Sequence, residues 1–177
     1  MASAAKLTLI LGGARSGKSR FAERLLADMP PPWQAPWTYV ATAEPGDAEM
    51  AERIAAHRQR RGAQWRTIEA PREVAAALAA RERGPTLVDC LTLWLSNLML
   101  ADAAIDAEIE RLESAFDATP APLVLVANEV GSGIVPNTPL GRRFRDWQGT
   151  LNQRIAARAD RVVLVVAGLP LVLKGSL

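Results

Sequence analysis

Five short runs of apolar and β-branched residues punctuate the chain: 7–11 (LTLIL), 38–42 (TYVAT), 86–90 (TLVDC), 123–128 (LVLVAN) and 162–168 (VVLVVAG). None alternates with polar residues, which is the pattern of strands covered on both faces. The segments between them have helical period. Phe21, Leu25 and Leu26 share one side after the first run, and Ile105, Ile109, Leu112 and Phe116 step by four, three and four, drawing an apolar stripe along one helix face. The alanine-rich REVAAALAARERG (72–84) reads as a helix with a small packing face. Strand alternating with helix predicts an α/β fold built on a mainly parallel sheet flanked by helices. The proline-rich MPPPWQAP (29–36) suits neither a helix nor a central strand and is expected as a surface loop that interrupts the domain without dividing it.

Size and charge narrow this further. A chain of 177 residues with 49% hydrophobic and 23% charged residues is expected to fold as one domain, 1–177, around one core. Its isoelectric point of about 9.1 looks basic, yet the net charge is only +2. That favours local phosphate sites over a nucleic-acid surface. Cys90 is the only cysteine, so neither an internal disulfide nor a cysteine metal cluster can form, and a reducing cytoplasm fits. The longest apolar stretch, VVLVVAGLPLVL, is broken by Gly168 and Pro170 and is too short to span a membrane. The five tryptophans, Trp33, Trp37, Trp65, Trp94 and Trp147, are dispersed and read as packing or interface residues.

The clearest chemistry is GGARSGKS, which fits G-x-x-x-x-G-K-[ST] from Gly12 through Gly13, Ala14, Arg15, Ser16, Gly17 and Lys18 to Ser19. It lies between the first predicted strand and a helix expected to begin near Lys18, the context this motif requires. Backbone N–H groups of the loop converge on phosphate oxygens and the helix N-terminus adds its positive end. Lys18 reaches the outer phosphates, and Ser19 can hold Mg²⁺. The expected ligand is a nucleoside triphosphate. Asp89, ending the run TLVD, has the place of a second metal-side carboxylate; the plainer alternative is a turn or helix-capping aspartate. Cys90 reads as core, since no base is placed to activate it. VANEVG (126–131) departs from the guanine-reading N-K-x-D of small GTPases, with Glu129 in place of lysine and Gly131 in place of aspartate.

His57 is the single histidine, within EMAERIAAHRQRR (49–61). If this segment is helical, Met50, Ile54, His57 and Arg61 form a narrow stripe, adjoined by Arg53 and Arg60. An ordinary half-buried helix histidine is one reading. The other starts from the arginines: they disfavour the imidazolium form, keeping the ring neutral and nucleophilic, and they neutralise phosphate charge. His57 therefore has the surroundings of a nucleophile toward phosphorus.

Taken in order, GGARSGKSRFAE, YVATAEPGDAEMAERIAAHRQRR, WRTIEAP, LVDCLTLWLSNL, LVANEVGSGIVPNTPLGRRFRDWQGTLNQRIAARAD and VVLVVAGLPLVLKG resemble the bifunctional adenosylcobinamide kinase/adenosylcobinamide-phosphate guanylyltransferases of cobalamin biosynthesis, over nearly the whole chain. The resemblance implies a P-loop fold of the RecA-like type and two reactions. ATP or GTP phosphorylates the aminopropanol hydroxyl of adenosylcobinamide. His57 then takes GMP from GTP as a covalent guanylyl-histidine and passes it to adenosylcobinamide phosphate, giving adenosylcobinamide-GDP. It also implies Lys18 and His57 as catalytic residues, and nucleotide contacts at Gly12 to Ser19, Thr42, Ala43, Glu44, Arg58, Gln59, Arg60, Arg61, Glu69 and Asp89. Ser19 and Asp89 are implied as metal-side groups. The implied partners are the corrinoid and nucleotides, with no nucleic acid and no membrane span, in a cytoplasmic homo-oligomer, a trimer being known among members. An exposed apolar face on the 91–117 helices would serve such an assembly. NEVGSGIVPNTPLGRRFRD reads either as a strand, glycine turn and helix cap, or as a loop closing over the corrinoid or a neighbouring subunit. Two rival functions stay open at the level of residues alone: a P-loop small-molecule kinase in which His57 only binds phosphate, and a nucleotide-sensing regulatory module.

Overall fold

The computed structural model describes residues 5–33, 36–44, 46, 52, 55, 62–81, 84–118 and 122–177. Its chain order is β1 (Leu7–Gly12), α1 (Lys18–Ala27), β2 (Trp37–Ala41), a 3-10 turn (Gly62–Gln64), β3 (Trp65–Glu69), α2 (Val74–Ala80), β4 (Thr86–Asp89), α3 (Leu91–Leu100), α4 (Ile105–Asp117), β5 (Leu123–Asn128), α5 (Pro139–Arg158), β6 (Arg161–Val166) and β7 (Leu169–Lys174). The strands form a single sheet in the order β3-β2-β4-β5-β1-β6-β7. All pairings are parallel except β6 with β7, as a sheet built by helical crossovers requires.

The pleat sorts the continuous apolar runs onto two faces. Leu7, Leu9 and Leu11 of β1, with Val88 and Leu125, pack against α2, α3, α4 and α5 through Val74, Trp94, Leu95, Ile109, Leu112, Leu151 and Ile155. Ile10, Val124, Val126, Val163 and Val165 point the other way, onto Ala22 and Leu26 of α1. Adjacent residues of one strand thus serve opposite layers, and polar positions disappear from the run. The predicted stripe on α4 is the buried one, Ile105, Ile109, Leu112 and Phe116. Arg154 of α5 grips Glu113 of α4 with two hydrogen bonds, Nε to Oε1 at 3.0 Å and Nη2 to Oε2 at 2.6 Å, a fork geometry that fixes the helix pair.

Three findings differ from the sequence reading. Two strands beyond the five predicted runs complete the sheet, β3 and β7. β3 pairs Trp65 with Trp37 of β2, bringing their rings to 5.3 Å. The stretch 162–173 is a hairpin, folded at Ala167 and Gly168, which both have positive φ, 53° and 81°. A two-residue turn of that kind matches the twist of its strands, and Pro170 is tolerated because β7 is an edge strand. The third is a correction. The apolar face of the 91–117 helices is buried, through Leu91, Trp94, Leu95, Leu98, Ile105, Ile109, Leu112 and Phe116, with Leu100 left outside. Exposed leucines gather instead on β7, at Leu169, Leu171 and Leu173, since nothing pairs with or covers this edge among the described residues.

Candidate active site

Gly12 ends β1 and begins the loop. A Cβ here would stand 2.5 Å from Ser16 Oγ and 2.6 Å from the Val165 carbonyl oxygen, so only glycine lets the loop close against β6. Arg15 and Gly17 take positive φ, 55° and 94°, curling the backbone back toward the sheet. Gly17 precedes α1 without a side-chain cap, and the first turn of α1 carries no acidic residue. An anion placed at this N-terminus would face backbone N–H groups with the helix dipole behind them. Lys18 is buried, and its ammonium donates to the Gly13 carbonyl at 3.0 Å. That bond lays the side chain across the mouth of the loop. Ser19 is the second residue of α1 and half-buried.

Thr42, Ala43, Glu44, Glu69 and Asp89 lie along the carboxyl edge of the same sheet, where α/β folds bind ligands. Asp89 closes β4, two strands from β1, with β5 between them. Its Oδ2 accepts the Tyr39 hydroxyl at 2.9 Å. Glu69 ends β3 opposite Ala41 and is exposed. Ala43 is half-buried and Glu44 exposed, just beyond β2.

Thr42 is fully buried. Its hydroxyl donates to the Cys90 carbonyl at 2.7 Å and accepts the Cys90 N–H at 2.8 Å. This side chain joins the chain just past β2 to the end of β4. Asn97 of α3 extends the clamp, its Nδ2 donating to the carbonyls of Thr42 and Pro71 at 2.8 and 2.9 Å. Cys90 is buried, and burial foremost, then the Asp89 charge, pushes its thiol up to about 11. It stays a neutral core group, as the sequence suggested.

The sequence reading did not single out Tyr39, Thr92, Asn97 or Asn152. Thr92 Oγ1 accepts the Asn128 N–H at 2.7 Å, and Asn152 Nδ2 donates to the Asn128 carbonyl at 3.0 Å. Both hold the end of β5, from which the Glu129 N–H reaches the Gly12 carbonyl at 3.1 Å. The signal was there: a lone amide or hydroxyl on an otherwise apolar helix face needs a buried partner. Thr138, at the start of α5, accepts the Gly141 N–H at 3.1 Å, so the helix-cap reading of that block describes its local structure. His57, Arg58, Gln59, Arg60 and Arg61 lie outside the described residues.

Residues 8–173 match the protein family described as cobinamide kinase / cobinamide phosphate guanyltransferase. The chain belongs to this family. Among curated relatives of the cobinamide kinase/guanyltransferase family, it is 52% identical to the bifunctional adenosylcobalamin biosynthesis protein CobP of Pseudomonas aeruginosa, over 94% of this chain and 96% of that one. It is 42% identical to the corresponding CobU of Salmonella typhimurium, over 95% of this chain and 99% of the relative. Among solved structures, the flagellar accessory protein FlaH of Methanocaldococcus jannaschii superposes with a TM-score of 0.54 over 97% of this chain and 79% of that one. At 13% identity that likeness concerns the fold alone, a P-loop sheet of the RecA-like type. Both activities in the family's description, a kinase and a guanyltransferase, handle a nucleoside triphosphate. No helix among the described residues is long and apolar enough to cross a membrane.

Proposed function

We propose that this bifunctional kinase and guanylyltransferase carries out both reactions with the groups at the carboxyl edge of one catalytic domain, 1–177. In the first, the loop Gly12–Ser19 holds the triphosphate of ATP or GTP, and Lys18 follows the γ-phosphoryl group as it moves to the aminopropanol hydroxyl of adenosylcobinamide. In the second, a His57 ring nitrogen attacks the α-phosphorus of GTP: a P–N bond forms, the bond to the bridging oxygen breaks, and pyrophosphate leaves. A phosphate oxygen of adenosylcobinamide phosphate then displaces the histidine, giving adenosylcobinamide-GDP and the free ring. The covalent intermediate divides one transfer into two easier ones. Arg58, Gln59, Arg60, Arg61, Ala43, Glu44 and Glu69 are assigned to the nucleotide, with Thr42 supporting them from the core.

The observation that carries this reading is the open N-terminus of α1 with Lys18 held across it. The donor chemistry at Ser19 and Asp89, one hydroxyl and one carboxylate, suits Mg²⁺, which keeps several waters and takes few protein ligands. When bound, Mg²⁺ would neutralise phosphate charge. The proposed working form is a cytoplasmic homo-oligomer, for which the leucine row of β7 offers an apolar surface.

The test is the mass of the protein after incubation with GTP and Mg²⁺. A gain of one GMP, absent with ATP and reversed by adenosylcobinamide phosphate, is expected. An unchanged mass under turnover would remove the covalent step and favour direct transfer.

A further inference from the structure

The hairpin between β6 and β7 meets the phosphate loop although some 150 residues of chain separate them. The Gly168 N–H donates to the Ser16 carbonyl at 2.8 Å. A Cβ on Gly17 would lie 3.3 Å from Gly168 Cα, so the two backbones are in contact. Gly168 has φ 81° and the preceding Ala167 φ 53°, and this tight turn is what carries the Gly168 N–H out to the loop.

The bond has a directional effect. A trans peptide is planar, with its C=O and N–H on opposite sides. Holding the Ser16 carbonyl toward the hairpin therefore turns the Gly17 N–H the other way, away from the hairpin. From the opposite flank, the Glu129 N–H holds the Gly12 carbonyl at 3.1 Å. The loop is gripped at both ends by backbone donors from strands neighbouring β1.

We propose that the Ala167–Gly168 turn is a positioning element of the nucleotide site, with Gly168 as its positioning residue: it fixes the Ser16–Gly17 peptide so that the Gly17 N–H is presented to phosphate. This rests on the reading of Gly12–Ser19 as the nucleotide loop. Glycine at 168 serves the positive φ; the space beside it is open, with no atom within 4 Å of a Cβ there. A substitution therefore acts through backbone conformation and not through a clash.

The test compares three variants of the full-length protein for binding of a non-hydrolysable GTP analogue, for kcat and KM of the kinase reaction, and for Tm. In Gly168→Val, a β-branched residue cannot hold this φ, the turn shifts, and nucleotide Kd and KM rise about tenfold, the scale of one lost hydrogen bond to a charged ligand, while kcat changes less. Gly168→Asn, which tolerates left-handed backbone, recovers most of the affinity. Val172→Ala, half-buried in β7 away from the turn, lowers Tm and leaves Kd unchanged. Wild-type Kd in Gly168→Val, or an equal loss of affinity in Val172→Ala at matched Tm, overturns the proposal. Should Gly168→Val not fold, Gly168→Ala gives a smaller rise in Kd, and its absence is equally decisive. Lys18→Ala separates the two levels: if it also binds the analogue normally, the nucleotide-loop reading itself fails.

Discussion

Tyr39 of β2 and Asp89 of β4 are joined by a hydrogen bond of 2.9 Å from phenol to carboxylate. The ring is buried, with Trp65 edge-on to it at 5.9 Å, so the hydroxyl has little freedom and points the carboxylate. Tyr39→Phe keeps the ring and deletes the pointer. It should cost the fold about 1 kcal/mol and shift the Mg²⁺ dependence of kinase turnover to higher concentration. Asp89→Asn should do so more severely, with metal-free nucleotide binding little changed. A Mg²⁺ titration of both variants measures this. Identical titration curves for Tyr39→Phe and the parent would detach Tyr39 from the metal side.

Lys18→Ala removes the charge laid across the loop. Kinase turnover should fall about a hundredfold or more, the scale for losing one charge clamp on a transferring group, and guanylylation should fall with it if one loop serves both reactions. Steady-state rates of each half-reaction in the folded variant decide the matter. A loss confined to the kinase would assign guanylylation a second nucleotide pocket.

His57→Asn should abolish the GMP adduct while leaving much of the kinase activity, because phosphorylation of a substrate hydroxyl requires no protein nucleophile. The parent adduct should be labile to acid and stable to alkali, as a P–N bond to imidazole is. Label in the α position of GTP should follow the protein and γ label should leave. Any acid-labile adduct on His57→Asn would refute the assignment, since the chain has no other histidine.

The Cys90 thiol gives stability a pH signature. Its proton is held up to about 11 in the folded state, against 9.0 ordinarily, through burial first and the neighbouring Asp89 charge second. Above pH 9 the unfolded chain loses this proton while the folded chain keeps it. The contribution is therefore fully present below pH 9 and is lost as pH rises toward 11. Urea midpoints of the parent should fall more steeply across this window than those of Cys90→Ala, which has no thiol to titrate.

Thr42→Val keeps the shape and deletes the hydroxyl that both donates to and accepts from the Cys90 backbone. Leaving the buried Cys90 N–H unpaired, while its carbonyl keeps the Trp94 N–H at 3.2 Å, should cost roughly 1–3 kcal/mol and loosen the end of β4 that carries Asp89. Thermal melting gives the first effect and the Mg²⁺ titration the second. Loss of nucleotide affinity without loss of Tm would instead make Thr42 a direct ligand.

How far these features could be read in the sequence depended on their range. The run LTLIL followed by GGARSGKS is local: a strand, a glycine turn and a helix start within thirteen residues, so β1, the loop and α1 were legible together. The apolar stripe on α4 was legible for the same reason. β3 was not, because WRTIE mixes exposed and half-buried positions at a sheet edge and has no continuous apolar run. β7 was hidden by its proximity to β6, the two reading as one apolar stretch until the positive φ of Ala167 and Gly168 divides them. The clamps at Asn97, Thr92 and Asn152 depend on partners 24 to 55 residues away. Only the fold brings those partners within reach. The histidine assignment came from composition and from resemblance to a family to which the chain does belong.

The place of β1 between β5 and β6 has a consequence in time. β1 takes its hydrogen-bonding neighbours from 123–128 and 161–166, so until those segments are made its edges lack their native partners. Contacts this distant in sequence form slowly. The phosphate motif thus waits on distant chain: a ribosome-bound chain that stops short of Gly168 lacks one of the two flanks of the loop, and the loop takes its final form only once both flanks have been made.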